Sequence, residues 1–144
     1  MVKFPVPKID KPLEELEARR KDATALAFIG DAVHTLAVRS RLVEAVGAKT
    51  GVLHRLQSKE VSATAQAATL KRIESELTEV ELDVYKRCRN AHQTTMAKNA
   101  SAVEYKIASG FEGLLGYLYL TGSSERIAEL LNKSFELQEQ VSQN

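Results

Sequence analysis

The sequence has no proline after Pro12, a single cysteine, and no apolar run long enough to cross a membrane. The lone Cys88 excludes an internal disulfide and fits a reducing compartment. The N-terminus lacks the long apolar core of a secretory signal. We therefore expect a cytoplasmic protein without a membrane-spanning segment.

An excess of charge of one sign is also missing. Lysine and arginine together number 20 and aspartate and glutamate 19, which leaves a net charge of +1. No global basic field therefore indicates a nucleic-acid partner, and any such surface has to be local. The apolar share of 44% and the charged share of 27% are ordinary for a globular protein, and 144 residues fit one domain.

The scarcity of helix breakers predicts an all-α fold. All three prolines precede residue 13, and the remainder is rich in alanine, leucine, glutamate, lysine and arginine. We interpret residues 1–11 as an extended N-terminal arm and residues 12–144 as one domain of six or seven helices. The first of these is a short helix that begins near Pro12.

Capping residues predict where the later helices begin and end. We expect one helix to be capped by Asp22 and to end at Gly47, and the next helix to open at Thr50, with a break near Ser58 before a helix over 61–77. A capping box of Thr78 and Glu81 should open a helix over 79–91, and a loop should follow over 92–99. An apolar helix over 101–120 should end at Gly122, and Ser124 should cap the last helix.

Two isolated carboxylates stand in the most apolar helical segments. Asp31 lies within residues 25–33 and Glu112 within residues 107–120, and neither segment holds another charged residue. A buried, ionised carboxylate is costly unless a partner or a metal compensates it, so the two residues are candidates for one shared metal site. The alternative is a helix-capping or salt-bridged carboxylate at each place.

Other features of the chain narrow the chemistry. Zinc is disfavoured because the three histidines and one cysteine show no clustered ligand spacing. No glycine-rich phosphate loop and no serine or cysteine nucleophile signature is present. Oxygen ligands favour a hard cation, magnesium, with manganese as the alternative. We interpret His34 and His54 as ordinary helix-face residues.

Glycine recurs every third residue in the second apolar segment, at Gly110, Gly113 and Gly116, and Gly30 precedes Asp31. Each glycine costs a helix about 1 kcal/mol relative to alanine. Either the close approach of another helix or space for a ligand beside Glu112 would explain why glycine is present despite this cost. Of the two explanations, we favour close packing.

A local basic region lies at the predicted end of the 79–91 helix and in the loop after it. Its candidate donors to phosphate are Lys86, Arg87, Arg89, Asn90, His92, Lys98 and Asn99. Basic side chains with asparagine are usual phosphate contacts. The alternative is a solvated basic helix end that complements the helix dipole.

These segments resemble a known family. Leu-Ala-Phe-Ile-Gly-Asp-Ala-Val (26–33) and Ala-Ser-Gly-Phe-Glu-Gly-Leu-Leu-Gly-Tyr-Leu-Tyr-Leu (108–120) are similar to the two metal-ligand helices of the ribonuclease III catalytic domain. Lys-Arg-Cys-Arg-Asn-Ala-His (86–92), Lys-Asn (98–99) and Glu-Tyr-Lys (104–106) resemble Mini-ribonuclease III, the group of that family without a double-stranded-RNA-binding domain. The similarity covers most of the chain, in the same order and spacing.

The acidic set is reduced relative to typical ribonuclease III enzymes. Their two further glutamates align with Thr24 and Ala27, and a further aspartate aligns with Ser109. The chain keeps only Asp31 and Glu112 of these acidic residues, as Mini-ribonuclease III members do. The smaller number of acids therefore does not imply an inactive enzyme.

The resemblance implies an all-α ribonuclease III-type domain with endoribonuclease activity on double-stranded RNA. Asp31 and Glu112 would be catalytic and hold magnesium, and Lys106 joins the RNA-contacting residues. The implied substrate is precursor large-subunit ribosomal RNA, cut to 5′-phosphate and 3′-hydroxyl ends by a homodimer, with a large-subunit ribosomal protein as a candidate partner. Two alternatives stay open: a catalytically silent RNA-binding domain on a ribosomal particle, and a purely structural helical module.

Overall fold

The computed structural model describes residues 4–47, 49–91 and 101–143, and every regular element in these ranges is helical. The helices are α1 (Glu15–Arg19), α2 (Ala23–Val46), α3 (Thr50–Glu60), α4 (Ala63–Ile73), α5 (Glu79–Asn90), α6 (Ala102–Leu120) and α7 (Ser124–Gln143), with a 3-10 turn at Glu74–Glu76 between α4 and α5. The all-α prediction is confirmed, and so is the expected number of helices.

The two most apolar helices, α2 and α6, form the centre of the domain. They make the most extensive contact in the fold, and α4 and α5 pack on α6. The largest fully buried side chains come from α2, α4, α5, α6 and α7, and include Leu26, Leu70, Val84, Phe111, Leu114, Leu115 and Ile127. The core therefore surrounds α6, and little of the surface of this helix is exposed to solvent.

Glycines let α2 and α6 cross with their backbones in contact. A Cβ atom on Gly30 would collide with the backbone carbonyl of Glu112, and one on Gly116 would collide with the carbonyl oxygen of Leu26. A side chain at either position would force the helices apart.

The other two glycines of α6 face α5. A Cβ on Gly110 would meet the Tyr85 ring, and one on Gly113 would meet the Cys88 side chain. The close-packing interpretation is thus confirmed for all four glycines, including Gly30, and they give no space to a ligand.

Most of the expected helix ends are present. Gly47 ends α2 with a φ of 60°, and the Thr78–Glu81 capping box opens α5. A second capping box, formed by Ser101 and Glu104, opens α6 and had no place in the sequence prediction. The two capping boxes satisfy backbone N–H groups that have no partner within their own helix.

Two boundary predictions are wrong. The break before α4 lies at Ser62, whose hydroxyl accepts a bond from the backbone N–H of Ala65, and not near Ser58. Ser124 is the first residue of α7, and its hydroxyl donates to the carbonyl oxygen of Pro7 at 2.9 Å. Ser124 therefore anchors the N-terminal segment instead of capping a helix.

The N-terminal segment from residue 4 to α1 packs along the domain. Phe4 is buried and its ring lies 6.1 Å from that of Phe135. The Leu13 N–H donates to the carbonyl oxygen of Leu120 at 2.8 Å. The loop predicted over 92–99 lies outside the described residues. No helix in the described part of the chain has the length and apolarity needed to span a bilayer.

Candidate active site

The crossing of α2 and α6 brings the two isolated carboxylates together. Gly30 packs on the backbone of Glu112, so Asp31, the next residue of α2, lies beside the Glu112 side chain. The two carboxyl groups are close enough to share a hydrogen bond. Residues 81 positions apart in the sequence, from 112 − 31, thus form one acidic pair.

Burial of the two carboxylates differs from the sequence expectation. Glu112 is partly buried, but Asp31 is exposed to solvent. The expectation was wrong for Asp31 because α2 is apolar on an exposed face as well as on its core face. Phe28, three residues earlier, is 81% exposed. An apolar segment therefore did not imply a buried carboxylate.

The acidic pair of Asp31 and Glu112 carries uncompensated negative charge. Burial, together with the hydrogen bond and the charge of Asp31, raises the pKa of Glu112 to about 8, while a hydrogen bond from Gln66 opposes the rise. Like charges side by side favour a shared proton or a bound cation. At neutral pH the metal-free pair therefore keeps a proton that a divalent cation can replace.

Neither carboxylate has a structural role that would explain its position. Both lie inside their helices, so neither is a cap. The ion pairs among the described residues use other acids, namely Glu15, Glu60, Glu81, Asp83 and Glu129. The helix-cap and salt-bridge alternatives are therefore wrong.

A buried glutamine of α4 supports Glu112. The Gln66 amide nitrogen lies 3.0 Å from Nδ1 of His34 and 3.5 Å from Oε2 of Glu112. Sequence reasoning missed Gln66, although it is a lone long polar side chain among alanines at 63, 65, 67 and 68. That isolation was the available signal.

His34 is a buried partner in this chain of contacts and not an ordinary helix-face residue. It is 3% exposed, and its ring meets that of Phe111 nearly at right angles with centroids 5.1 Å apart. Burial lowers the His34 pKa to about 4, with a smaller opposing effect from the Asp31 charge. The imidazole is therefore neutral at neutral pH and can accept a hydrogen bond at Nδ1. His54, by contrast, is exposed.

The acidic pair has no third ligand nearby among the described residues. In that part of the chain no group of three or more histidine, cysteine, aspartate or glutamate side chains is placed to hold a metal. The site thus offers two carboxylate ligands, Asp31 and Glu112. This agrees with the sequence, in which Thr24, Ala27 and Ser109 stand at the positions of the other acids of typical ribonuclease III enzymes.

The basic residues of α5 point in two directions. The Arg87 guanidinium donates to the carbonyl oxygen of Lys21, just before α2, at 3.2 Å. Arg89 lies over the Tyr85 ring at 5.5 Å and donates to Oδ1 of Asn90 at 3.1 Å. The two arginines are therefore not one patch, because residues two apart lie on different helix faces.

Arg89 and Asn90 instead join Lys106 of α6 around a surface cavity of about 330 Å³. Lys71 of α4, which the sequence reasoning missed, lines the same cavity together with Glu74. Lys86 is exposed on α5. The other three predicted contacts, His92, Lys98 and Asn99, lie outside the described residues.

Comparison with known proteins gives a consistent result. The model of the ribonuclease III domain family matches residues 24–123. The chain is 44% identical over 116 residues to Mini-ribonuclease 3 of Enterococcus faecalis, covering 79% of this chain and 88% of that one. It is 45% identical over 114 residues to Mini-ribonuclease 3 of Brevibacillus brevis, with coverages of 79% and 85%.

A solved structure has the same fold. The crystal structure of a Fusobacterium nucleatum protein superposes with a TM-score of 0.75 at 28% identity, covering 83% of this chain and 96% of that protein. The matching family domain includes both Asp31 and Glu112 and the helices that bring them together. This chain belongs to the Mini-ribonuclease 3 group of the ribonuclease III family.

Proposed function

We propose that this protein is a metal-dependent endoribonuclease that cleaves double-stranded RNA. The observation that carries the proposal is the acidic pair: Asp31 and Glu112 meet at the α2–α6 crossing, with a raised Glu112 pKa and no described cation to balance them. Membership of the ribonuclease III family supports the substrate class and the reaction.

The donor set fits magnesium or manganese. Two carboxylates are a usual protein contribution to magnesium, which keeps several waters and takes further oxygens from substrate phosphates. Asp31 and Glu112 would hold the ion, Asp31 from the solvent side and Glu112 from the partly buried side. A bound divalent cation supplies an activated water and neutralises charge that develops on the phosphate. The exposure of Asp31 leaves the site open to a large substrate.

The cleavage assay that tests the proposal uses a duplex fragment of precursor large-subunit ribosomal RNA. We expect cutting that depends on magnesium or manganese and leaves 5′-phosphate and 3′-hydroxyl ends, in a cytoplasmic enzyme that a large-subunit ribosomal protein assists. Mapping of both ends and addition of that protein check these finer points. Intact duplex RNA with either metal would overturn the enzymatic assignment.

The candidate RNA contacts are the cationic side chains that remain open to solvent. Lys86, Arg87 and Lys106 are exposed, and Arg89 and Asn90 share the surface cavity with Lys106. Duplex RNA is recognised mainly through phosphates, 2′-hydroxyls and shape, which suits such a surface. His92, Lys98 and Asn99 stay predicted contacts of the same kind.

We expect the double variant Arg89→Ala, Lys106→Ala to weaken RNA binding and to lower the slope of log K against log salt by about 2. Each lost phosphate contact removes about one unit of slope. The measurement is the salt dependence of duplex binding without magnesium. Arg19→Ala is the matched control, because Arg19 is already paired with Asp83 at 3.0 Å. An unchanged slope in the double variant would reject both residues as phosphate contacts.

An exposed apolar face on α2 supports a homodimer. Phe28 is 81%, Leu36 46%, Val43 63% and Val46 45% exposed. At 3.6 residues per turn the four lie within an arc of about 80°. The exposed Arg39 lies in the same arc, so the face is apolar except for one charge. Exposed apolar side chains grouped in this way mark an interaction surface, and a second copy of the chain would bring a second acidic pair for the second RNA strand.

Sedimentation analysis tests this association. We expect the wild-type chain to sediment as a dimer and Phe28→Glu to shift it to a monomer, because a charge would have to be desolvated in the apolar contact. Leu16→Glu is a suitable control, since Leu16 is 63% exposed but belongs to α1 and not to the apolar face of α2. A monomeric wild type would contradict the proposal.

A catalytically silent RNA-binding domain is the second candidate. The absence of a group of three or more metal-ligating side chains among the described residues favours it. Duplex binding without metal-dependent cleavage would establish it. A purely structural module would in turn require that the protein bind no RNA at all.

A further inference from the structure

We infer that Gln66 is a positioning residue for Glu112, because its amide nitrogen donates one hydrogen to that carboxylate and the other to His34. The inference rests on the proposed metal site of Asp31 and Glu112. The two contacts, 3.0 Å to Nδ1 of His34 and 3.5 Å to Oε2 of Glu112, join α2, α4 and α6 through one side chain.

The chemistry of the three groups determines the direction of these bonds. A glutamine amide nitrogen has two hydrogens, a carboxylate oxygen accepts, and a neutral imidazole accepts at Nδ1 when its proton is on Nε2. The reverse orientation of the amide would set its carbonyl oxygen against Oε2 of the ionised Glu112. Only the nitrogen can bond to both neighbours when Glu112 holds a cation.

Burial makes the arrangement rigid. Gln66 and His34 are each 3% exposed, so neither can exchange these bonds for solvent without cost. The His34 ring is held by its perpendicular contact with the ring of Phe111, the residue before Glu112 on α6. The position of the amide therefore follows from core packing, and Glu112 takes its orientation from the amide.

The expected function is to hold the Glu112 carboxylate towards Asp31 against the repulsion between the two groups. Partners of this kind behind a metal ligand typically contribute a factor of about 10–100 to metal affinity. No exposed side chain could do this as well, because water would compete for the donor.

The test is a titration of the metal-free protein with Mn²⁺ alone, followed by calorimetry or by the spectrum of free Mn²⁺. We expect Gln66→Met, which keeps the side-chain length and removes both donors, to weaken Mn²⁺ binding about tenfold. Gln57→Met is the matched control: Gln57 is 8% exposed, but it accepts a bond from Arg39 on the other side of α2. Wild-type Mn²⁺ affinity in Gln66→Met would overturn the inference.

Two variants of His34 separate positioning from stability. His34→Asn offers an acceptor near the place of Nδ1, whereas His34→Leu offers none. Leucine suits the apolar surroundings better, so His34→Leu should have the higher Tm and yet the weaker Mn²⁺ affinity. If His34→Leu had both the higher Tm and the higher Mn²⁺ affinity of the two variants, His34 would only fill space. That result would contradict the inference even if Gln66→Met failed to fold.

The titration also separates this inference from the proposed metal site. Glu112→Gln should lose measurable Mn²⁺ binding. If the wild type binds no Mn²⁺, or Glu112→Gln binds it equally well, the metal site is wrong. If those two proteins behave as expected and Gln66→Met resembles the wild type, the metal site stands and only the positioning role is wrong.

Discussion

Replacing Asp31 with Asn or Glu112 with Gln is expected to reduce RNA cleavage to about a thousandth of the wild-type rate or less, an increase of about 4 kcal/mol in the barrier. Each substitution keeps the side chain's size but removes a negative ligand. Because the described residues offer no third acid at the site, one carboxylate remains, which is too little to hold a magnesium ion in place. Single-turnover cleavage of duplex RNA measures the effect.

RNA affinity should be nearly unchanged in both variants. The phosphate contacts are assigned to α5 and to Lys106 of α6 and do not include the acidic pair, so binding in the absence of magnesium is the control. Full cleavage activity in either purified variant would contradict the metal assignment. Loss of RNA binding together with cleavage would instead indicate a damaged fold.

The pH dependence of unfolding provides a second check on Glu112→Gln. The Glu112 pKa is about 8 in the folded chain, against 4.5 for an ordinary glutamate. Its protonated form therefore contributes stability that is complete below pH 4.5 and is lost as the pH rises through 8. Glutamine keeps the uncharged state at every pH. In urea unfolding without metal, the variant should gain stability relative to the wild type between pH 6 and 9, and equal pH dependence would contradict the raised pKa.

Gly30→Ala is expected to have the largest effect on the free energy of unfolding, a loss of about 3 kcal/mol. The new Cβ would collide with the backbone carbonyl of Glu112, and a backbone atom cannot turn aside as a flexible side chain can. The helices would have to separate where the acidic pair forms, so Mn²⁺ affinity should fall as well. Urea unfolding and Mn²⁺ titration measure the two effects.

Gly51→Ala is the matched control for Gly30→Ala. Gly51 also lies in a helix, α3, but a Cβ there would meet nothing within 4 Å. Alanine loses less backbone entropy on folding than glycine, so this variant should be about 0.5–1 kcal/mol more stable than the wild type. If both variants shifted stability equally, the close approach of α2 and α6 would not be the cause.

The helical fold was predictable because its signals are local. The absence of proline after residue 12 and the Thr78–Glu81 capping box act within a few residues, and Gly47 ends α2 where its sequence predicts. The predictions at Ser58 and Ser124 failed because a serine can lie inside a helix, cap one or bond to a neighbouring segment: Ser58 lies within α3, and Ser124 bonds to Pro7. Which partner a serine hydroxyl takes depends on what packs beside it.

The site was predictable only in part. Asp31 and Glu112 could be selected by their isolation in apolar segments, and that isolation needs no tertiary information. Gln66 was missed because its importance comes from the position of α4 against α6. The basic residues were grouped by their closeness in sequence, whereas Arg87 and Arg89 lie on different faces of α5.

The sequence by itself determined that this chain is helical, that its most apolar helices each carry one carboxylate, and that glycines mark where helices pack closely. Only the tertiary structure decided that Gly30 lies on the backbone of Glu112, that Asp31 stays in solvent, and that Gln66 links Glu112 to a neutral His34. The physical reason is the range of the forces involved. Caps and periodicity act over one or two helical turns, whereas burial and the meeting of two charges depend on which helices cross.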